Sequence, residues 1–596
     1  MAQVITTKYL HNRKIFKITM NHWVAMVCFL IKKKVRTTFK FIAVILLVLY
    51  VGTTSAQNSD GQINIHHIAN KIDSLLSNYS EKEPGVAIGL IKNNQLIYEK
   101  YFGLANLDYG IPIHKATSFH VASVSKQFTA FAILLLEDEG KLSLENDIRI
   151  YLPEMYKFEH KITISHLLNH TSGLKDKYNL LRLSGWTLDD VITNEQVLEI
   201  IFNQETLNFK PNEKHMYSNA NYALLAEIVA RISKMSFAEF THKRIFEPLQ
   251  MYDSKFVDQK GQVIKNKSLS YHKVDSIYVE DLFNNFSVGA TNLNTTITDL
   301  SKWAINYDTK KVGSEVIFNK MQTLQHLNNG ETYGYANGLF INTYKGFKRI
   351  EHSGQDASYQ AYLATFPELN FSVIFTNTNG EINGAKMVYD IMDIYLEQYT
   401  TDETTKNPSV KKLTHQKPIS KIPAELMLYE GHYWDEGDRY SREIKVENDT
   451  LRFITKNGNT ALVPVGEHSF EMNIDNYVGI SFVNNQMIIT LDDGYRIYSE
   501  KYSPANYNAT TLEEFTGRYY SSELNAYYSF YIKENKLVAK HTRLGDFKLK
   551  AIKNDYFIGN KGSFLKVVFV RNSFNDVIGF EVSSSRAKNV VFLKIK

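Results

Sequence analysis

Two kinds of apolar periodicity follow one another after residue 64. Isoleucines and leucines first recur at helical spacing, and two alternating segments then predict strands joined at an Asn93-Asn94 turn. Strand-like segments return near residue 360, towards the end of a long region that is rich in helical patterns and extends to about Tyr399. Strands at both ends of a helical middle predict one sheet built from both ends, an α+β arrangement. The helical positions are Ile65, Ile68, Ile72, Leu75 and Leu76.

The pattern changes beyond this helical region. Residues 400–423 are polar and charged and contain all the local prolines, so they predict a linker. Short alternating segments separated by Asn, Asp and Gly follow, and they predict an all-β region. Within it, Tyr429 to Tyr433 matches Phe515 to Tyr519 about 86 residues later. We therefore predict two copies of one β module, residues 424–505 and 506–596. The alternative is one larger β domain with coincidental matches.

Residues 1–56 have the composition of a leader. A basic segment precedes an apolar run, residues 41–51, and small residues then lead to Ala56. This order is typical of a secretory signal peptide, so we predict cleavage after Ala56 and a secreted or periplasmic protein whose first domain is residues 57–399. If the leader is not cleaved, residues 41–51 would instead anchor the protein in a membrane, and only then is a membrane a partner.

Charge and cysteine content exclude several classes of function. The leader carries nine Lys and Arg and no acid, so the formal charge of +5 for the whole chain becomes −4 after cleavage. A mildly acidic protein without a basic stripe is a poor nucleic-acid binder, and we predict no nucleic-acid partner. The single cysteine, Cys28, lies in the leader, which leaves no thiol nucleophile. No metal-ligand spacing is found in the sequence, so we predict neither a metal nor a cofactor.

A lysine lies in what the pattern predicts to be a buried helix. Residues 121–136 are apolar nearly all round, and Gly140 is a natural stop. A buried ammonium is costly without a carboxylate partner, so Lys126 needs either a counter-ion or a chemical role. Ser123 lies three residues earlier, on the same helix face and near the N-terminus, where the helix dipole favours developing negative charge. This pair predicts an activated serine nucleophile.

The Ser-x-x-Lys spacing by itself carries little weight, because it occurs five more times. We expect those copies in polar or strand-like surroundings, whereas Ser123 is followed by an apolar helix. The serines of the other copies are Ser172, Ser270, Ser409, Ser563 and Ser585.

Two further short motifs follow in chain order. Tyr217 to Asn219 lies directly before an apolar helical pattern, and His352 to Gly354 begins a segment of alternating strand residues. A second Tyr-x-Asn, Tyr335 to Asn337, lies between glycines and predicts a strand edge rather than a site.

With these motifs in place, residues 62–397 resemble the serine β-lactamase and penicillin-binding-protein superfamily. The resemblance is to its class C-like branch, which also holds esterases and D-amino-acid peptidases. Six stretches resemble family blocks in family order: "FHVASVSKQFTA", "ITISHLLNHTSGL", "YSNANYALLAEIV", "IFEPLQMYDSKF", "VGATNLNTTITDLSKW" and "HSGQDASYQAYLATFP". The resemblance implies a β-lactamase-like α+β domain, an antiparallel sheet flanked by helices. Two barrel-like β modules after such a domain resemble the D-aminopeptidases.

The resemblance also implies a role for each motif residue. Ser123 would attack a carbonyl carbon, while Lys126 and Tyr217 would take its proton and pass it to the leaving group. Asn219 would position Lys126 and a substrate amide. The third motif, with the residue after it, would bind substrate, and the oxyanion would be held by the backbone N–H groups of Ser123 and Gln355. The residues of this third element are His352, Ser353, Gly354 and Gln355.

The identity of the base stays open at this level. Tyr217 or Lys126 must lose about three pKa units to act near pH 7, and burial alone would lower the pKa of lysine but raise that of tyrosine. The two groups titrate as a pair, so the proton belongs to neither alone.

One departure from the family bears on the substrate. Many relatives that hydrolyse β-lactams carry lysine where this chain has His352, which is mostly neutral at pH 7. We therefore predict an exported serine acyl hydrolase that acts on an ester or a D-amino-acid peptide, with a cell-wall-derived substrate among the options. The alternative is a penicillin-binding or sensing protein with slow or no turnover.

Overall fold

A computed structural model describes residues 65–595 apart from 188, 400–412, 438, 456–457, 475, 493 and 562. The predicted leader, its apolar run 41–51 and Cys28 lie outside the described residues, and so do residues 400–412 of the predicted linker. Among the residues that the structure does describe, no helix is both long and apolar enough to cross a membrane.

Helices fill the middle of the first domain. The helices up to residue 396 are α1 (Ile65–Leu76), α2 (Ser125–Asp138), α3 (Ile164–Leu168), α4 (Lys177–Leu183), α5 (Asn194–Phe202), α6 (Asn219–Ser233), α7 (Phe237–Thr241), α8 (Ile297–Thr309), α9 (Glu315–Met321) and α10 (Gly384–Leu396). Two short helices, α11 (Pro423–Leu426) and α12 (Ala509–Leu512), each precede a run of strands.

The strands of this domain come from both of its ends. They are β1 (Val86–Lys92), β2 (Gln95–Phe102), β3 (Leu104–Asn106), β4 (Ile111–Pro112), β5 (Phe119–His120), β6 (Lys255–Phe256), β7 (Tyr271–Val274), β8 (Ile277–Glu280), β9 (Leu293–Thr295), β10 (Tyr335–Ala336), β11 (Leu339–Tyr344), β12 (Phe347–Asp356), β13 (Tyr359–Phe366) and β14 (Phe371–Asn377).

The main sheet has seven antiparallel strands in the order β10-β11-β12-β13-β14-β1-β2. The first strand of the domain pairs with its last, because Val86 of β1 lies opposite Asn377 of β14. The predicted β1–β2 turn is present, with φ of 47° at Asn93 and 62° at Asn94, values that asparagine tolerates better than most residues. Helix α8 packs on β1 and β14, and α10 packs on β13 and β14.

The rest of the described chain forms two closed eight-stranded antiparallel barrels. The first contains β15 (Gly431–Asp435), β16 (Tyr440–Glu447), β17 (Thr450–Thr455), β18 (Gly458–Pro464), β19 (Ser469–Met472), β20 (Val478–Val483), β21 (Gln486–Leu491) and β22 (Arg496–Tyr502). The second contains β23 (Gly517–Ser521), β24 (Ala526–Lys533), β25 (Lys536–His541), β26 (Gly545–Lys553), β27 (Tyr556–Gly559), β28 (Lys566–Arg571), β29 (Val577–Ser583) and β30 (Val590–Ile595). The predicted fold class is confirmed.

The repeated sequence marks the same position in both barrels. In the first, the Tyr433 hydroxyl donates to the Tyr429 carbonyl at 2.8 Å, and in the second the Tyr519 hydroxyl donates to the Phe515 carbonyl at 2.9 Å. Each tyrosine is buried and ties the first strand to the turn before it. The repeat therefore encodes how each barrel begins.

Side chains fill the second barrel. A buried cluster of phenylalanine and tyrosine occupies its interior and packs the core of the barrel. The aromatic members are Phe515, Tyr519, Tyr528, Phe530, Phe547, Phe557, Phe564, Phe569, Phe580 and Phe592.

Candidate active site

Ser123 lies on a tight turn between β5 and α2. A single 3₁₀ turn, Ala122–Val124, connects them, and Ala122 has φ of 45°, a left-handed conformation that is unfavourable for residues other than glycine. Helix α2 is buried along nearly its whole length, as the apolar pattern predicted. The strained turn presents the serine at the N-terminus of a rigid, buried helix.

Lys126 is fully buried and points at Ser123. Its Nζ lies 3.0 Å from Ser123 Oγ, 2.9 Å from Asn219 Oδ1 and 2.7 Å from the Ala290 carbonyl oxygen. The last two oxygens can only accept, so they take two N–H groups. In the neutral amine the lone pair is therefore directed at the hydroxyl of Ser123, ready to accept its proton.

A buried carboxylate fixes the orientation of Asn219. Asp176 Oδ2 accepts from Asn219 Nδ2 at 2.9 Å and from its backbone N–H at 2.7 Å, so Oδ1 must face Lys126. Both polar atoms of the Asn219 side chain thus have partners within the protein. Contact between Asn219 and a substrate amide stays a prediction.

Burial favours the uncharged forms of both members of the proposed base pair. It lowers the pKa of Lys126 well below its ordinary value and raises that of Tyr217. Tyr217 hydrogen-bonds Ser123, which opposes the rise, and its ring lies 4.8 Å from Lys126 Nζ. This environment favours a neutral Lys126 as the base and a protonated Tyr217 as the relay.

The third motif lies on β12, directly against the serine turn. Gly354 is buried beside Ser123, while Ser353 and Gln355 are exposed to the cleft. The cleft has a volume of about 590 Å³, and its lining includes the apolar side chains of Phe340, Phe375 and Val388. The motif residues that line it are Ser123, Tyr217, His352, Ser353, Gly354 and Gln355.

Gly354 approaches the serine turn too closely for a side chain. A Cβ at this position would lie 2.7 Å from the Ser123 nitrogen and would also collide with the Val121 carbonyl. We expect Gly354→Ala to push β12 away from the turn and to slow acylation about 10²- to 10³-fold, the usual cost of losing one oxyanion donor. The rate of labelling by a fluorophosphonate, followed by intact mass, measures this.

The matched control for that substitution is Gly458→Ala in the first barrel, where an added Cβ meets no described atom within 4 Å. Equal labelling rates for Gly354→Ala and the parent chain would contradict the tight-approach argument.

His352 is neutral and has no N–H group left for a substrate. Burial, reinforced by Lys126, lowers its pKa to about 3. Its Nδ1 lies 2.6 Å from the Ser353 carbonyl, which can only accept, so the proton is on Nδ1. Nε2 then accepts from the Tyr335 hydroxyl at 3.3 Å. Tyr335 is on β10 at the edge of the sheet, where its Tyr-x-Asn motif was predicted to be.

The rate of acylation is expected to rise with pH. The reactive amine of Lys126 exists above its pKa and is lost as pH falls through it, and burial moves that transition below the ordinary 10.5. His352, with a pKa of about 3, should add no transition between pH 5 and 8. Fluorophosphonate labelling rates across pH measure this. A transition near pH 6.5 that disappears in His352→Gln would show that the histidine titrates instead.

Three groups that contact the site residues could not be identified from the sequence. Asp176 orients Asn219, the Ala290 carbonyl holds Lys126, and the guanidinium of Arg586 from the second barrel lies 5.6 Å from the centre of the Tyr217 ring. Asp176 precedes α4 as its N-cap, and this capping position is the only local signal that it gives. Nothing in the sequence near Arg586 points to the serine.

The expectation for the other Ser-x-x-Lys copies was wrong at Lys175. This lysine is as buried as Lys126, but its Nζ lies 2.7 Å from the Glu523 carboxylate of the second barrel. A counter-ion, rather than a chemical role, accounts for its burial.

Among the described residues, no cluster of three or more His, Cys, Asp or Glu side chains is suited to a metal ion.

Known proteins are similar to this chain over the region that contains Ser123. A family model described as Beta-lactamase matches residues 72–395. Penicillin-binding protein 4* of Bacillus subtilis (strain 168) is 30% identical over 318 residues, covering 49% of this chain and 67% of that protein. Protein flp of Staphylococcus aureus (strain N315) is 28% identical over 331 residues, covering 52% of this chain and 63% of that protein.

Among solved structures, the octameric penicillin-binding protein homologue from Pyrococcus abyssi aligns with a TM-score of 0.51 and 23% sequence identity. The alignment covers 73% of this chain and 100% of that one. At this identity the match supports the fold alone.

Proposed function

The chain belongs to the beta-lactamase family of serine hydrolases and penicillin-binding-protein relatives, and we propose that it is an exported acyl hydrolase that forms an acyl-enzyme on Ser123. The observation that carries the proposal is the contact between Lys126 Nζ and Ser123 Oγ at 3.0 Å, made by a fully buried lysine that contacts no carboxylate among the described residues. Export rests on the leader pattern.

Acylation begins with transfer of the Ser123 proton to the neutral amine of Lys126. Oγ attacks the substrate carbonyl carbon, and the backbone N–H groups of Ser123 and Gln355 stabilise the resulting oxyanion. The proton passes through the Tyr217 hydroxyl to the leaving group, whose bond to the carbonyl carbon then breaks. A water molecule reverses these steps: it loses a proton to the same pair, attacks the ester carbon and releases the acid with Ser123 restored.

We favour an ester or a D-amino-acid peptide over a β-lactam as substrate. The neutral His352 supports this choice, because it offers no cation where many β-lactam-hydrolysing relatives have a lysine. The apolar side chains in the cleft lining also suit the hydrocarbon part of an acyl or alcohol group.

A second candidate is a penicillin-binding or sensing protein that acylates slowly and does not turn over. The name of the Bacillus subtilis relative, Penicillin-binding protein 4*, favours it. The two candidates differ in the lifetime of the acyl-enzyme.

Intact mass over time tests both candidates on one sample. The parent chain, residues 57–596, and Ser123→Ala are mixed separately with a fluorophosphonate, a penicillin and an activated ester. We expect a fluorophosphonate adduct and a transient ester adduct on the parent chain and neither on Ser123→Ala. A persistent penicilloyl adduct without ester turnover would support the second candidate, and no adduct from any reagent would overturn both.

A further inference from the structure

The second barrel places a cation beside Tyr217. Its β29–β30 loop is held against the first domain at the Arg586 backbone, whose carbonyl accepts from the Asp176 N–H at 2.9 Å and from Asn208 Nδ2 at 3.1 Å. The next part of the loop is fixed as well, because the Lys588 N–H donates to Asn208 Oδ1 at 2.8 Å. The backbone that carries this guanidinium is therefore rigid.

The Arg586 side chain lies over the proton-relay tyrosine. Its Cζ is 5.6 Å from the centre of the Tyr217 ring, and Tyr217 hydrogen-bonds Ser123. The side chain is 34% exposed, so it is partly desolvated yet accessible to a ligand. Its positive charge acts on the site residues and lowers the pKa of both Tyr217 and Lys126.

The carboxylate of Asp176 is the ion-pair partner of Arg586 but accepts no hydrogen bond from its guanidinium. Asp176 lies 3.6 Å from it, beyond hydrogen-bond distance. That carboxylate already accepts from the backbone N–H groups of Tyr178 and Asn179 and twice from Asn219. Throughout the part of the chain that the structure describes, we find no hydrogen bond donated by the Arg586 guanidinium. The guanidinium thus forms an ion pair with Asp176 at 3.6 Å, while its planar set of N–H donors stays available for hydrogen bonds beside Tyr217.

We propose that Arg586 binds a carboxylate of the substrate, which makes the protein selective for esters or peptides that carry a free carboxyl group within reach of Ser123. This inference rests on the proposed function. A guanidinium binds a carboxylate through two parallel hydrogen bonds, and a rigid backbone lowers the entropy lost on binding. The second barrel then acts as part of the binding site, in addition to covering the first domain.

Binding is measured first, in a form that cannot react. Monomethyl glutarate and its neutral dimethyl ester are titrated into Ser123→Ala and into Ser123→Ala/Arg586→Ala, with ligand-observed NMR as the readout. We expect the acid to bind Ser123→Ala at least about tenfold more tightly than the diester, the usual effect of one charge-assisted hydrogen bond, and to lose this preference without Arg586. Equal binding of the two probes, or a preference that survives Arg586→Ala, would overturn the inference.

Kinetics separates binding from a purely structural role. For p-nitrophenyl hydrogen glutarate and p-nitrophenyl valerate, which differ only in the terminal carboxyl group, the ratio of kcat/KM should fall about 10- to 100-fold in Arg586→Ala and recover in part in Arg586→Lys. Arg518→Ala is the matched control, since Arg518 lies over Tyr527 on the same barrel and is exposed. An equal loss for both esters would show that Arg586 only supports Asp176, and the inference would be withdrawn.

Failure of the proposed function gives a different result. If no ester acylates Ser123, the proposed hydrolase is wrong, while the NMR titration on Ser123→Ala still decides whether Arg586 binds a carboxylate.

Discussion

Lys126→Met should slow acylation of Ser123 by about a thousandfold or more. Methionine keeps the length and apolar packing of the lysine stem but cannot accept the proton of Ser123. Removal of a positioned general base costs about 10²- to 10⁴-fold, and this lysine also anchors Asn219 and the turn at Ala290. The rate constant for fluorophosphonate labelling, with the thermal midpoint recorded on the same sample, measures the effect and its cause.

Lys177→Met is the matched control for Lys126→Met. Lys177 is equally buried, and its Nζ donates to Ser287 Oγ at 3.0 Å, without contact to Ser123. Burial lowers its pKa to about 8. We expect less than a tenfold change in labelling for this variant. Similar losses in the two variants would mean that buried charge near the cleft, rather than proton transfer at Lys126, sets the rate.

Glu523→Gln should lower the free energy of unfolding by about 3–5 kcal/mol, the usual cost of breaking a buried ion pair by removing one partner. Glu523 on the second barrel pairs with Lys175 on the first domain at 2.7 Å, and the side chains are 5% and 0% exposed. Burial raises the pKa of Glu523 and lowers that of Lys175, so each charge depends on the other. Urea unfolding of the full mature chain measures the loss.

Two further variants test the cause of that loss. Lys175→Met/Glu523→Leu removes both charges and should recover most of the stability, since a well-packed apolar pair can replace a buried ion pair. Asp190→Asn, which breaks the partly exposed contact with Arg543 at the same interface, should cost less than about 1 kcal/mol. If Glu523→Gln is as mild as Asp190→Asn, the buried pair does not hold the barrel in place.

Local sequence predicts the burial of some lysines and not of others, as a comparison of Lys126, Lys175 and Lys177 shows. All three are buried, yet only Lys126 lies in an apolar run long enough to predict its burial. The counter-ion of Lys175 is more than three hundred residues away in the chain, and no pattern around either residue predicts their contact. A buried lysine needs either a counter-ion or a chemical role, but only the tertiary structure shows which of the two accounts for Lys126 and which for Lys175.

The sequence by itself determined the main elements and the contact between Ser123 and Lys126. Periodicity specifies a helix or strand through local burial, so α2, the β1–β2 hairpin and the strands of the β region could be predicted, and the repeat divided that region into two modules. Ser123 and Lys126 are one helical turn apart, which makes their contact a consequence of helix geometry.

Only the tertiary structure decided what surrounds that pair. Asp176 orients Asn219, Gly354 lies against the serine turn, and Arg586 reaches Tyr217 from the second barrel. These contacts join segments that are distant in the chain, and they depend on how sheet, helices and barrel pack together. Local periodicity carries no information about such contacts, because it records which face of an element is buried and not what it is buried against.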